Sequence, residues 1–147
     1  MIRREILRAI AAHTCPDIYH LNFDTLSFLL YIVDEIQCWG RPTLIKLQTE
    51  PSEIMEGHAH VRKFSGKEVD VIITTDDEEW DEKRKEGVKN WVGRLRKMLR
   101  LAVETSRLKD SYLHFVAKNR KGECWVLELK DGQLKGPKYL PSTNKSG

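Results

Sequence analysis

An α+β fold is predicted for this chain of 147 residues: an N-terminal helical pair, then a ββαββ unit in which a long helix packs on an antiparallel sheet. Two observations predict it. After Gly57 the apolar spacing changes from the 3.6-residue repeat of helices to the two-residue repeat of strands. Between two such alternating regions, residues 76–107 return to the helical repeat with one continuous apolar stripe. The expected divisions are a helical piece over 1–43, a linker over 44–57, the ββαββ domain over 58–137 and a disordered tail over 138–147.

Residues 2–13 read as a short helix with Ile2, Ile6, Ala9, Ile10 and His13 on one core-facing side. Pro16 ends it, because the residue before a proline avoids helical angles. The chain enters this helix directly after Met1 without a capping residue, as expected of a fragment of a longer protein. A second helix lies within Phe23 to Pro42. Asp24 is its N-cap, Phe23 and Phe28 form a staple across the first turn, and Gly40 with Pro42 stops it. Leu26, Leu29, Leu30, Ile32, Val33 and Ile36 are spread nearly all round, which predicts a helix buried in a core. It falls short of the roughly 20 apolar residues that a membrane crossing needs. Ser27, Tyr31, Asp34 and Cys38 share the one semi-polar stripe, where a carboxylate must be solvated, paired or bound to metal.

The linker follows, through Pro51. HAHVRKF and VDVIITT then alternate around Ser65-Gly66-Lys67 as a hairpin. The long helix is expected to start at Thr75, with Glu78 completing a capping box. Acidic residues crowd 76–82, and Arg94, Arg96, Lys97, Arg100 and Arg107 fill the second half, as the helix dipole prefers. Its stripe of Val88, Trp91, Val92, Leu95, Met98, Leu99, Ala102 and Val103 needs a flat partner. That partner is the sheet completed by SYLHFVAK and ECWVLELK around Asn119-Arg120-Lys121-Gly122, whose helix-facing side carries Val69, Val71, Ile73, Leu113, Phe115, Ala117, Trp125, Leu127 and Leu129. After Gly132 the chain turns basic and rich in turn residues, which predicts a tail.

Composition narrows the function classes. Twenty-five basic and 22 acidic residues give a net charge of +3, so nucleic acid or an anionic membrane is not the default partner. Three widely spaced cysteines, Cys15, Cys38 and Cys124, form neither a disulfide framework nor a zinc knuckle and point to a reducing, cytoplasmic setting. The charged N-terminal segment is not a signal peptide.

A histidine closing one helix (AIAAH, His13), a loop, and a hydrophobic helix with an aspartate near its end (LLYIVDE, Asp34) resemble the closing part of the HD superfamily of metal-dependent phosphohydrolases. The run DEIQCWGRP is similar to a form found in some HD proteins. The resemblance covers about 40 residues. It implies that Asp34 and His13 are ligands of a divalent metal of unspecified identity, whose bound water attacks phosphate. The His-Asp dyad of that family is absent, since His13, His20, His58, His60 and His114 are followed by Thr, Leu, Ala, Val and Phe. The expectation is therefore a C-terminal fragment of a phosphohydrolase, inactive alone, partnered by the missing N-terminal region or by a second copy of the chain. The alternative is a noncatalytic module that docks protein or nucleic acid.

Two further constellations stand out. The sheet face away from the helix would carry His58, His60, Asp70, His114 and Cys124, residue types able to hold zinc or simply to face solvent. The long helix has a basic side of Lys83, Arg84, Lys85, Lys89, Arg94, Arg96, Lys97 and Arg100, which suits either a phosphate backbone or plain solvation.

Overall fold

The computed structural model describes residues 4, 6, 7, 10, 11, 26–37, 57–65, 67–104 and 110–142. Arg4, Ile6, Leu7, Ile10 and Ala11 are helical. The named elements that follow are α1 (Leu26–Gln37), β1 (Gly57–Phe64), β2 (Glu68–Thr75), α2 (Glu82–Glu104), β3 (Tyr112–Lys118), β4 (Cys124–Lys130) and β5 (Gln133–Leu140). The α+β class is thus the observed one. Among the described residues no helix is long and apolar enough to cross a membrane.

The five strands lie in sequence order, β1-β2-β3-β4-β5. All neighbours are antiparallel except β2 and β3, which run parallel. The expected all-antiparallel sheet is corrected to a mixed one. The reason is geometric: 23 residues of α2 span about 34 Å at 1.5 Å per residue, enough to carry the chain back past the whole length of β2. Tyr112 consequently emerges opposite Glu68, where β2 began, and β3 must run the same way.

The start of α2 also differs from expectation. Thr75 is the last residue of β2, opposite Gly57, and its buried hydroxyl accepts a hydrogen bond from Trp80 Nε1 at 2.9 Å. It is therefore unavailable as a cap. Asp81 takes that role, its Oδ1 accepting from the Arg84 backbone N–H at 2.7 Å.

Residues 133–140, expected to lie partly in a tail, form the edge strand β5. Asp131 and Gly132 connect it to β4 with φ of 53° and 73°, the two left-handed positions of a tight hairpin turn. Pro137, which has no N–H to offer, is tolerated because β5 is an edge. Gly136, beside the irregular register between Val126 and Glu128, has φ of 101°, and a Cβ there would stand 2.5 Å from the Val126 carbonyl oxygen.

The core lies between α2 and the sheet. Val88, Trp91, Val92, Leu95, Met98 and Leu99 of α2 are buried against Val69, Val71, Ile73, Leu113, Phe115, Ala117, Leu127 and Leu129, the face the alternation predicts. Trp125 packs there too but is only partly buried. α2 lies chiefly over β5 and β4 and touches β3. Val61 and Phe64 on β1 stay 45% and 41% exposed. α1 contributes Phe28 and Ile32, one turn apart, and docks on α2 through Trp91 Nε1, which donates to the Glu35 carbonyl at 3.1 Å. Leu29 and Leu30 are exposed, so α1 buries one stripe and is not a fully enclosed helix. Ile6, Leu7 and Ile10 are likewise exposed, and the core-facing role expected of Ile6 and Ile10 is corrected accordingly.

Candidate functional site

Two surfaces gather chemistry-bearing side chains, one on each side of the sheet. On the helix side, α2 and β5 enclose a groove of about 480 Å³ lined by Lys89, Asn90, Gly93, Arg96, Lys97, Arg100 and Pro137. Helical spacing builds it. Positions 89, 93, 96 and 100 follow the i, i+4, i+7, i+11 pattern of one stripe, and 90 and 97 flank them. That stripe lies beside the buried one, so its cations stand at the border of the sheet where β5 supplies the far wall. Gly93 leaves the middle of the groove without a side chain, and a Cβ there would meet nothing within 4 Å. Among the described residues no carboxylate lines the groove, and α2 has none between Glu86 and Glu104. Lys89 pairs with Glu86 at 3.1 Å, while Arg94, turned off the groove, pairs with Glu35 at 3.4 Å.

A polar knot holds the groove's far wall. Glu123 accepts hydrogen bonds from the Tyr139 hydroxyl at 2.8 Å, Asn119 Nδ2 at 2.5 Å and the Trp80 backbone N–H at 3.4 Å, with Lys85 Nζ at 4.0 Å. The Tyr139 hydrogen bond pulls the Glu123 pKa below its ordinary value against the opposing effect of burial, and the same bond raises that of Tyr139. The knot thus ties β5 to the start of α2 and to the β3–β4 turn.

The acidic segment 76–82 is tethered nearby. Arg84 binds Asp77 at 3.0 Å, Lys121 binds Glu79, and Arg120 reaches Glu78 at 3.6 Å. Acids and cations thus pair with one another around the start of α2, while its run from Gly87 to Val103 carries cations alone.

On the open sheet face, Arg62 brings Nε to 2.8 Å and Nη2 to 2.5 Å of Asp70 Oδ2, while His114 Nδ1 lies 3.1 Å from Oδ1. A bulge between Val61 and Lys63 allows this, placing both Arg62 and Lys63 beside Asp70. Burial, the largest single influence, pushes the Asp70 carboxyl up, but the hydrogen bonds from Arg62 and His114 together hold it below the usual range. Tyr112 stacks beside His114, with ring centroids 6.1 Å apart and planes 24° apart. Burial, followed by the nearby Glu128, raises the Tyr112 pKa and keeps it a neutral phenol. Burial also raises that of Cys124, which keeps it a thiol.

The residues named from sequence are distributed as follows. Asp34 is exposed on α1, and His13 lies outside the described residues, as do Asp24, Gly40 and Pro42. His58 sits opposite Thr74 and faces Asp76 at 3.7 Å, His60 sits opposite Ile72, and His114 sits opposite Asp70. The three histidines do not converge, and the described residues contain no group of three or more side chains able to hold a metal ion. Of the basic side of α2, Lys89, Arg96, Lys97 and Arg100 come together in the groove. Sequence reasoning missed Pro137, Lys135 and Lys138 by missing β5, although the dipeptide Asp131-Gly132 is a strong hairpin signal. Compared with family models, curated proteins and solved structures, the chain matches none.

Proposed function

We propose that this chain is a noncatalytic binding module that holds a nucleic-acid phosphate backbone in the groove between α2 and β5. The observation that carries this reading is the groove lining itself: Lys89, Arg96 and Arg100 along one stripe with Lys97 beside it, and no carboxylate among the described residues that line it. The stripe from Lys89 to Arg100 is about 16 Å long at 1.5 Å per residue, a length that follows several successive phosphates of a strand. Gly93 at its centre lets the ligand approach the helix backbone. A net charge of +3 does not register such a patch, because the six carboxylates of 76–82 gather in the segment that leads into the helix, away from the groove.

The test is binding of a labelled oligonucleotide by fluorescence anisotropy between 50 and 200 mM salt. Four phosphate contacts give a slope of log K against log salt of about −3 for a single strand and about −3.6 for a duplex. Replacing Arg96 and Lys97 by glutamate removes the binding, and polyglutamate at equal charge fails to compete. Absence of binding at the lowest salt, or unchanged binding by the double variant, rules the reading out.

A second reading keeps the phosphohydrolase ancestry. It rests on the position of Asp34, exposed on α1, as one carboxylate of a divalent-metal site whose remaining ligands residues upstream would supply. Under it, His13 and Asp34 are two members of a larger ligand set and the chain alone remains inert.

A further inference from the structure

We infer that the open face of the sheet is a stacking platform for the bases of a single-stranded nucleic acid, centred on Tyr112 and His114. The inference rests on the groove reading for the backbone and names which form of nucleic acid the module takes. β3 is the middle of five strands, and residues two apart on a strand share a face, so Tyr112, its first residue, and His114 set two stacked rings at one end of the central strand. The imidazole is fixed by Asp70, and Asp70 by Arg62, so the platform is pre-organised.

Ile72, Val116 and Val126 form the next row of the same face beyond His114 and keep part of their surface accessible, as an apolar floor under bases requires. The face is also positive. It carries Arg62, Lys63, Lys118, Lys130, Lys135 and Lys138 against Glu68, Asp70 and Glu128. Two of those carboxylates are already answered, Glu68 by Lys63 and Asp70 by Arg62, and Lys135 stands opposite Glu128 in register. For Lys118, Lys130 and Lys138 no ion pair is found among the described residues.

β5 joins this face to the groove. Its Pro137 lines the groove, while Lys135 and Lys138 stand opposite Glu128 and Val126 on the open face. A strand leaving the groove over the β5 edge meets lysines first and the two rings about two strand spacings, roughly 10 Å, further on. Base faces inside a duplex are hidden in the stack, so only a single strand can use such a platform.

The experiment compares four labelled probes on the full chain: 12-nucleotide dT and rU, a 12-nucleotide abasic strand, and a 12-base-pair duplex. The dT or rU strand binds more tightly than the abasic strand. Tyr112→Ala and Tyr112→Leu each weaken it by about 5- to 150-fold, the loss expected for one stacked base, with unchanged circular dichroism. Tyr112→Phe keeps the affinity, and none of the three changes affects the abasic strand. Preference for rU or dT identifies the natural sugar. Equal affinity for abasic and base-bearing strands, or indifference to Tyr112→Leu, overturns the platform while leaving the groove intact. No binding of any probe overturns both.

Discussion

Replacing Glu123 by alanine is the most informative single change to the fold, because Glu123 joins β5, the β3–β4 turn and the start of α2. Its carboxylate receives two short hydrogen bonds, from Tyr139 at 2.8 Å and Asn119 at 2.5 Å. Bonds to a charged acceptor contribute about 1.5–3 kcal/mol each. The Trp80 N–H at 3.4 Å and Lys85 at 4.0 Å are too long to count for much. The Glu123 side chain is 15% exposed, so water can replace part of what is lost, and the lower end applies. Two such bonds give about 3 kcal/mol. For a chain of this size that lowers Tm by roughly 9 °C. Urea unfolding followed by tryptophan fluorescence measures the loss, and a cycle with Tyr139→Phe isolates the coupling between the two side chains. The effect also has a required pH dependence. The folded pKa of Glu123 is depressed below an ordinary 4.5, so its stabilisation is complete above that value and fades as pH falls through the folded pKa. The gap between wild type and variant must therefore close on acidification. A loss under about 0.5 kcal/mol at neutral pH, the range of ordinary surface changes, would refute the knot as a structural tie.

Three further outcomes are expected. Gly136→Ala costs about 2–3 kcal/mol in urea unfolding, since φ of 101° and the approach to the Val126 carbonyl both exclude a Cβ. Asp81→Ala costs about 1 kcal/mol by removing the cap on the Arg84 N–H, whereas Glu78→Ala changes stability by less than about 0.5 kcal/mol; the reverse order would restore a cap at Thr75. With manganese, magnesium or zinc added, the chain turns over no phosphoester in a substrate panel; turnover abolished by Asp34→Ala with the fold intact would show a complete ligand set and sink the fragment reading.

Much of the fold was legible because alternation and helical spacing are local signals. The faces of β2, β3 and β4 follow from Val69, Val71, Ile73, Leu113, Phe115, Ala117, Leu127 and Leu129 alone. Strand direction is not local. It depends on where a 23-residue helix delivers the chain, which no window of residues around Tyr112 contains. β5 was obscured by Gly136 and Pro137, read as turn residues although an edge strand with a bulge admits both. The candidate site was legible in parts. The basic side of α2 and the sharing of one sheet face by His114 and Asp70 can be read from spacing, but their pairing comes from the parallel register of β2 and β3, and the groove exists only because β5 stands against α2. Pairing of Arg62 with Asp70 needs a bulge that alternation does not announce. α1 was misjudged because apolar residues all round a helix do not say how many of its sides have a partner.

The two glycines of α2 separate stability from function. Gly87 and Gly93 lie inside a 23-residue helix, where glycine is about 1 kcal/mol less favourable than alanine. Neither is held there by packing, since a Cβ at either position meets nothing within 4 Å, and neither has a left-handed backbone. On stability grounds both are replaceable, so Gly87→Ala and Gly93→Ala should each add about 0.5–1 kcal/mol in urea unfolding. Only Gly93 lines the groove. Gly93→Leu, still a good helix former, should keep or raise stability while placing a side chain where the ligand must approach the helix, and so weaken oligonucleotide binding at least tenfold, about 1.4 kcal/mol. The same change at Gly87 should leave binding untouched. If Gly93→Leu binds as wild type does, the ligand does not enter the groove at its centre, and the cations of α2 are only a solvated face.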